Sequence, residues 1–285
     1  MPESPADTSS AADTRPAYPP PRHAMRMLAM ESEQFENGDV RGWLPVTPMF
    51  TGPDGGPRIG AIGMLVDALG GMRSITAAAP EWAFTADMSL HLLPTGPIER
   101  LQADIRVLRR GRRTLVLEAE LSADGDRPAG LALLTFAVVP RPDHLVNIVI
   151  DTSPGRRTMS RLEGDQEPPA DYHRELGFIE ESTGIVMVEL RPEVGNTVGA
   201  LHGGVHTALI DEAAASLGRT LLGPTATTTD IHLAFMELGF TGPMRAEATL
   251  LGHPDPAADR VGAVVQVLDG NDRVCSYATV EVSAR

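Results

Sequence analysis

The chain contains no lysine; all 24 of its basic residues are arginine. Schiff-base chemistry and a P-loop each need a lysine, so both are excluded. The missing lysine itself reads as a GC-rich coding bias. Cysteine is nearly absent as well. Cys275 stands alone, so it forms no internal disulfide, and that fits a reducing cytoplasm. It has no matching His–Asn set and reads as a small buried residue of a terminal strand. Aromatic residues are only 4% of the chain and the formal charge is −14. Few rings for stacking and little basic surface argue against nucleic acid as a partner. Long apolar runs are lacking, and the longest look too short to span a bilayer, so no membrane is expected. Met1-Pro-Glu-Ser offers no basic n-region and no apolar h-region follows, so no secretory signal is expected. No Gly-x-Ser-x-Gly elbow occurs, which argues against a serine hydrolase.

What is present is a pattern written twice. Ile62-Gly-Met-Leu-Val-Asp67 matches His206-Thr-Ala-Leu-Ile-Asp211 in register. Each aspartate is followed about twenty residues later by a second one, Asp87 or Asp230, in a strand-like run. Each run then meets Thr-Gly-Pro, at Thr95 to Pro97 and at Thr241 to Pro243. Three landmarks in the same order indicate an internal duplication. The stretch before Thr-Gly-Pro is three residues longer in the second copy.

The chain therefore divides into a disordered tail (1–24), a first unit (25–140), a linker (141–170) and a second unit (171–285). The tail is rich in Pro, Ser, Ala and Asp and cannot bury enough apolar surface to order itself. Leu145 to Ile150 is a candidate extra strand in the linker. Helical spacing predicts long helices over Ile59–Ala78 and His202–Leu222. Alternating apolar residues and turn signals predict strands around them, mostly in hairpins. The expected class is α+β: in each unit an antiparallel sheet wraps one long helix.

The candidate chemistry lies in Asn196, then His202-Gly203-Gly204, then Asp211. Gly-Gly at a helix mouth leaves the first free N–H groups uncovered, where a carbonyl oxygen gaining charge can rest. His202 and His206 are four apart, as in metal-binding helices. Gly203 stands where a glutamate would be expected, so no metal is predicted. Asp87 and Asp230 are expected to bond backbone.

A long helix cradled in an antiparallel sheet, twice in tandem, resembles the double hot-dog fold. Asn196, His202-Gly203-Gly204 and Asp211, at intervals of six and nine residues, resemble the motif of the PaaI-type acyl-CoA thioesterases (4HBT superfamily). Thr228, two before Asp230, matches that family's strand hydroxyl. The resemblance implies sites at the interface of paired units, here an internal pseudo-dimer, with further homo-oligomers open. It implies that Asn196, His202 and Gly203 face Asp67 and Thr85 of the other half. Gly203 N–H would hold the thioester carbonyl, and Asp67 would act as general base or nucleophile. Gly204 would touch substrate. The mirror site would set Asp211 and Thr228 against Arg58, Ile59 and Gly52, which stand where the histidine, first glycine and asparagine belong. That site is expected to be degenerate.

Arg109, Arg110, Arg112 and Arg113 form the densest basic cluster. They suit the phosphates of coenzyme A, although a merely solvated hairpin tip explains them better. The expected function is a cytoplasmic hydrolase of acyl- or aroyl-CoA that needs no cofactor, since coenzyme A belongs to the substrate. Two alternatives stay open: a double hot-dog enoyl-CoA hydratase, and a non-catalytic acyl-CoA-binding module.

Overall fold

Two helices of 20 residues, α2 (Ile59–Ala78) and α4 (Gly203–Leu222), run side by side through the core. The computed structural model describes residues 18–142, 145, 152–159, 170–253 and 257–284. Both helices are apolar on nearly every side, because each faces the sheet on one flank and the other helix on the next. They cross antiparallel through small residues. A Cβ on Gly63 would sit 2.3 Å from Thr207 Cγ2, and one on Gly204 would sit 2.6 Å from Met64 Cα. Only glycine allows that approach. α2 is also long and apolar enough, by length and composition, to cross a membrane, which corrects the expectation that no run would reach that mark. Its apolar surface has another use: 72% of that window is buried inside the fold.

The strands are β1 (Glu31–Gln34), β2 (Val40–Pro45), β3 (Trp82–Leu92), β4 (Arg100–Arg110), β5 (Thr114–Ala123), β6 (Arg127–Val139), β7 (Gly155–Thr158), β8 (Ile179–Ser182), β9 (Ile185–Val188), β10 (Ala226–Phe235), β11 (Met244–Leu250), β12 (Arg260–Leu268) and β13 (Val274–Ala284). They form one antiparallel sheet in the order β7-β1-β2-β4-β5-β6-β3-β10-β13-β12-β11-β9-β8. Leaving β7 aside, the order reads the same from both ends: each half runs helix, two strands, long helix, four strands. The short leading helices are α1 (Ala24–Met27) and α3 (Tyr172–Leu176). β3 and β10 join the halves, with Asp230 opposite His91 and Ala234 opposite Asp87.

Several expectations need correcting. The tail does not reach residue 24: Pro19 and His23 are buried and α1 starts at Ala24; residues 1–17 lie outside the described residues. The linker holds a strand, but it is β7, which pairs with β1. All of the expected strand at Leu145 to Ile150 except Leu145 lies outside the described residues. Among the described residues, neither the Asp87 nor the Asp230 side chain bonds backbone. On the outer face of the seam, Asp87 takes a bond from His232 Nε2 at 2.9 Å and Asp230 meets His91 Nδ1.

A bulge in each seam strand matters for the site. The register slips between Thr85 and Asp87 in β3 and between Thr228 and Asp230 in β10. The extra residue resets the alternation of faces. Thr85 and Thr228 thereby turn inward toward the helices while the aspartates stay outside.

Candidate active site

The first turn of α4 meets the middle of α2. His202 is the N-cap of α4, and its Nδ1 accepts the Gly204 N–H at 3.1 Å. A histidine caps as Asn or Ser would, by offering an acceptor to a free first-turn donor. The same N–H also reaches Asp67 Oδ2 at 2.8 Å, across the gap between the halves. Thr85 Oγ1 donates to Asp67 Oδ1 at 3.0 Å. His202 Nδ1 lies 3.4 Å from Asp67 Oδ2, so carboxylate and ring share one backbone donor.

Gly203 lies directly before the carboxylate. A Cβ there would stand 2.8 Å from both Asp67 oxygens. As the first helical residue it has no intrahelical acceptor for its N–H. The Gly204 N–H is taken by Asp67 and His202, so it is not a free donor. Asn196 Oδ1 accepts the N–H groups of Val198 and Ala200 at 3.0 and 3.1 Å. Its carbonyl therefore shapes the loop, and its amide nitrogen has no acceptor among the described residues.

Burial sets the charges. Asp67 is 7% exposed, and burial lifts its carboxyl to about 6 against the opposing bonds from Thr85 and Gly204. Burial lowers His202 to about 4, so its ring is neutral. With Nδ1 accepting, Nε2 carries the hydrogen. His206 turns away to Ser276 Oγ at 3.1 Å, and burial, with His202 beside it, lowers it to about 3.

The mirror site has the same frame and other contents. Arg58 is the N-cap of α2 and makes no side-chain cap bond. Gly60 N–H donates to Asp211 Oδ2 at 3.0 Å, as Gly204 does to Asp67. The loops match as well: Gly52 N–H bonds Gly56 O at 2.7 Å and Asn196 N–H bonds Ala200 O at 2.7 Å. Thr228 Oγ1 reaches the Asp211 backbone carbonyl at 3.5 Å, and its hydroxyl also favours the charged form of the Asp211 carboxyl. Burial raises Asp211 while Arg58 and His173 oppose it. Glu212 is the hub of a charge cluster, with Arg58 at 3.5 Å, His173 Nδ1 at 2.9 Å and Arg219 at 2.9 Å. Burial alone would raise Glu212, but these three neighbours hold it at about 2. Tyr172 is fully buried here, its Oη beside Asp211, without a hydrogen-bond partner among the described residues.

The arginine cluster is not gathered at either aspartate. It tips the β4–β5 hairpin beside the C-terminal end of α2, where Arg110 Nε donates to Ala77 O at 3.0 Å and pairs with Glu81 at 3.5 Å. Ala77 is ten residues past Asp67, about 15 Å along the helix. A surface depression of about 570 Å³, lined by Phe35, Asp39, Arg41 and Asp104 among others, shares no residue with either site.

Tyr18 and His23 belong to the site and escaped the sequence reading. The His23 ring stands edge-on to His202 with centroids 5.6 Å apart, and Tyr18 Oη donates to Gly195 O at 3.3 Å. Their stretch reads as a proline-rich tail, and no local signal marks a contact made so far along the chain.

No protein-family model matches the chain, and no curated protein matches it. Solved structures match it in shape. A protein with a hot-dog fold and unknown function from Alicyclobacillus acidocaldarius is 12% identical, with a TM-score of 0.52 over 92% of this chain and 98% of that one. The chain has the hot-dog fold. An acyl-ACP thioesterase from Bacteroides thetaiotaomicron is 11% identical, with a TM-score of 0.56 over 87% and 99%. A 12:0-ACP thioesterase from Umbellularia californica is 9% identical, with a TM-score of 0.57 over 87% and 94%. At such identities the likeness extends to the hot-dog backbone alone.

Proposed function

We propose that this protein is a tandem double hot-dog thioesterase of the PaaI type, hydrolysing acyl- or aroyl-CoA in the cytoplasm at one site between its halves. The observation that carries the reading is the Asp67 carboxylate, buried and held by Gly204 N–H, standing over Gly203 at the mouth of α4. The hot-dog thioesterases of similar shape favour the same reaction class.

In this reading the thioester carbonyl oxygen sits on Gly203 N–H, at the positive end of α4. His202 Nε2–H and the Asn196 amide are the further donors. Asp67, ionised above about 6, takes a proton from water as the water oxygen bonds the carbonyl carbon. The tetrahedral intermediate then collapses, the C–S bond breaks, and Asp67 returns the proton to the leaving thiolate. Direct attack by Asp67 would give an anhydride that water then opens. Either route uses the same groups. Arg109, Arg110, Arg112 and Arg113 would meet the coenzyme A phosphates.

The test is release of free thiol from a panel of short, long and aromatic acyl-CoA esters. Turnover of at least one ester is expected, rising with pH to a plateau above about 6. Loss of the enoyl absorbance of crotonyl-CoA without thiol release would point to a hydratase. Tight binding of every ester without turnover would overturn the enzyme assignment.

A further inference from the structure

The Asn196 loop is not held by its own half alone. Three hydrogen bonds tie its base to the chain's start. Ala24 N–H donates to Glu193 O at 2.7 Å, His23 Nε2–H to Gly195 O at 2.7 Å, and Tyr18 Oη to the same Gly195 O at 3.3 Å. Gly195 immediately precedes Asn196, and its backbone pairs with Leu201, the residue before His202. The base of the loop is thus anchored on the carbonyl that His23 grips. The grip has a fixed tautomer. His23 caps α1, so its Nδ1 accepts Met25 N–H at 3.1 Å and its Nε2 must carry the hydrogen. His23 is fully buried, and its ring edge meets the His202 ring. Burial and the nearby His202 lower it to about 4, so the grip persists across the working range of pH.

We propose that His23 is a positioning residue of the Asp67 site, assisted by Tyr18: its Nε2–H fixes Gly195, and its ring holds His202 in line. It does not touch the reacting atoms. The proposal deepens the thioesterase reading and rests on it for its kinetic test. At the mirror site the equivalent leading helix, α3, makes a different contact: Tyr172 packs on Phe50 with centroids 5.5 Å apart. A clasp of loop carbonyl by imidazole therefore belongs to one site only.

Three variants separate positioning from bulk. His23→Leu keeps volume and loses the donor; leaving the Gly195 carbonyl to the longer Tyr18 bond alone should lower kcat roughly 10-fold with little change in KM. His23→Gln can restore a donor near Nε2 and should recover most of kcat. Tyr18→Phe, at a half-exposed position, should lower kcat only about 2- to 5-fold, as fits loss of the longer of the two bonds. Amide exchange at Val198 and Ala200 and the imidazole nitrogen shifts of His202 are read on the same proteins. They should loosen in His23→Leu and return in His23→Gln. Unchanged kcat, exchange and shifts in His23→Leu would overturn the proposal, as would equal losses in the leucine and glutamine variants. Should His23→Leu not fold, Tyr18→Phe with unaltered exchange and kcat would overturn it. The exchange and shift measurements need no substrate, so a wild-type protein without thioesterase activity would sink the reaction and leave the clasp to be judged on them.

Discussion

The two ends of the helix pair carry the same scaffold and different side chains. Gly204 N–H holds Asp67 as Gly60 N–H holds Asp211. Around the first pair stand two neutral histidines, an inward threonine bonded to the carboxylate, and a glycine with no side chain to press on the carboxylate. Around the second stand a guanidinium, a salt-bridged glutamate and a buried phenol. A buried ion cluster and a phenol ring stand at the second site where two imidazoles stand at the first. The difference teaches that a duplicated backbone can keep its geometry while its chemistry goes two ways.

The sharpest way to break this comparison is to neutralise each acid. Asp67→Asn should lower thiol release by roughly 10²–10⁴, the usual share of a positioned proton acceptor. Asp211→Asn should leave turnover within about 3-fold, since a site without its donors has little activity to lose. Comparable losses from both variants would mean that the halves share the work. Next in size is Gly203→Ala. Its Cβ would press on both Asp67 oxygens at 2.8 Å and cover the free N–H, so a loss of about 10²–10³ in kcat is expected. α2 already carries Ile59 at the equivalent place, and Ile59→Gly should gain nothing measurable.

Much of this was legible in the chain. The helix at Ile59–Ala78 shows itself by spacing and by Pro80 after it; the facing of Asp67 and the glycines of the other half was implied by the resemblance to the PaaI-type family, not by the duplication itself. Two strands were not legible for one reason. β1 (Glu-Ser-Glu-Gln) and β7 (Gly-Arg-Arg-Thr) have no apolar alternation and are held by backbone pairing near a sheet edge. β8 went unread beside β9, because its two glutamates leave it no apolar face. His23 was hidden because its partner is a backbone carbonyl 172 residues away. Tyr172 read only as part of a short helix; nothing local says that its ring fills a site.

A third test uses pH. Asp67 has a folded value of about 6 against an ordinary 3.8, so the fold favours its protonated form. Its contribution to stability is fully present below the ordinary value and is lost as pH rises through about 6. The loss amounts to about 2–3 kcal/mol. Asn cannot accept the Gly204 N–H through its amide nitrogen, which costs stability at every pH. The readable quantity is therefore the change: from pH 4 to pH 8, Asp67→Asn should gain about 2–3 kcal/mol on wild type in urea unfolding. A pH-independent difference would place the carboxylate in a more solvated setting. Asp211→Asn should gain in the same sense, by an amount that Arg58 and His173 reduce.

The smallest effect isolates the packing of the mirror site. Tyr172 Oη is buried and has no partner among the described residues, while its ring contacts Phe50 and His173. If the ring is what seals the site, the hydroxyl is a burden. Tyr172→Phe keeps the ring, removes the unpaired group, and should raise stability by about 1 kcal/mol without altering thiol release. Tyr172→Ala should cost about 3–5 kcal/mol, the usual penalty for emptying an aromatic core position. A destabilised phenylalanine variant would mean that the phenol bonds a buried water or anion beside Asp211. The mirror site would then be a polar cavity with its own occupant, and the contrast drawn between the two sites would fail.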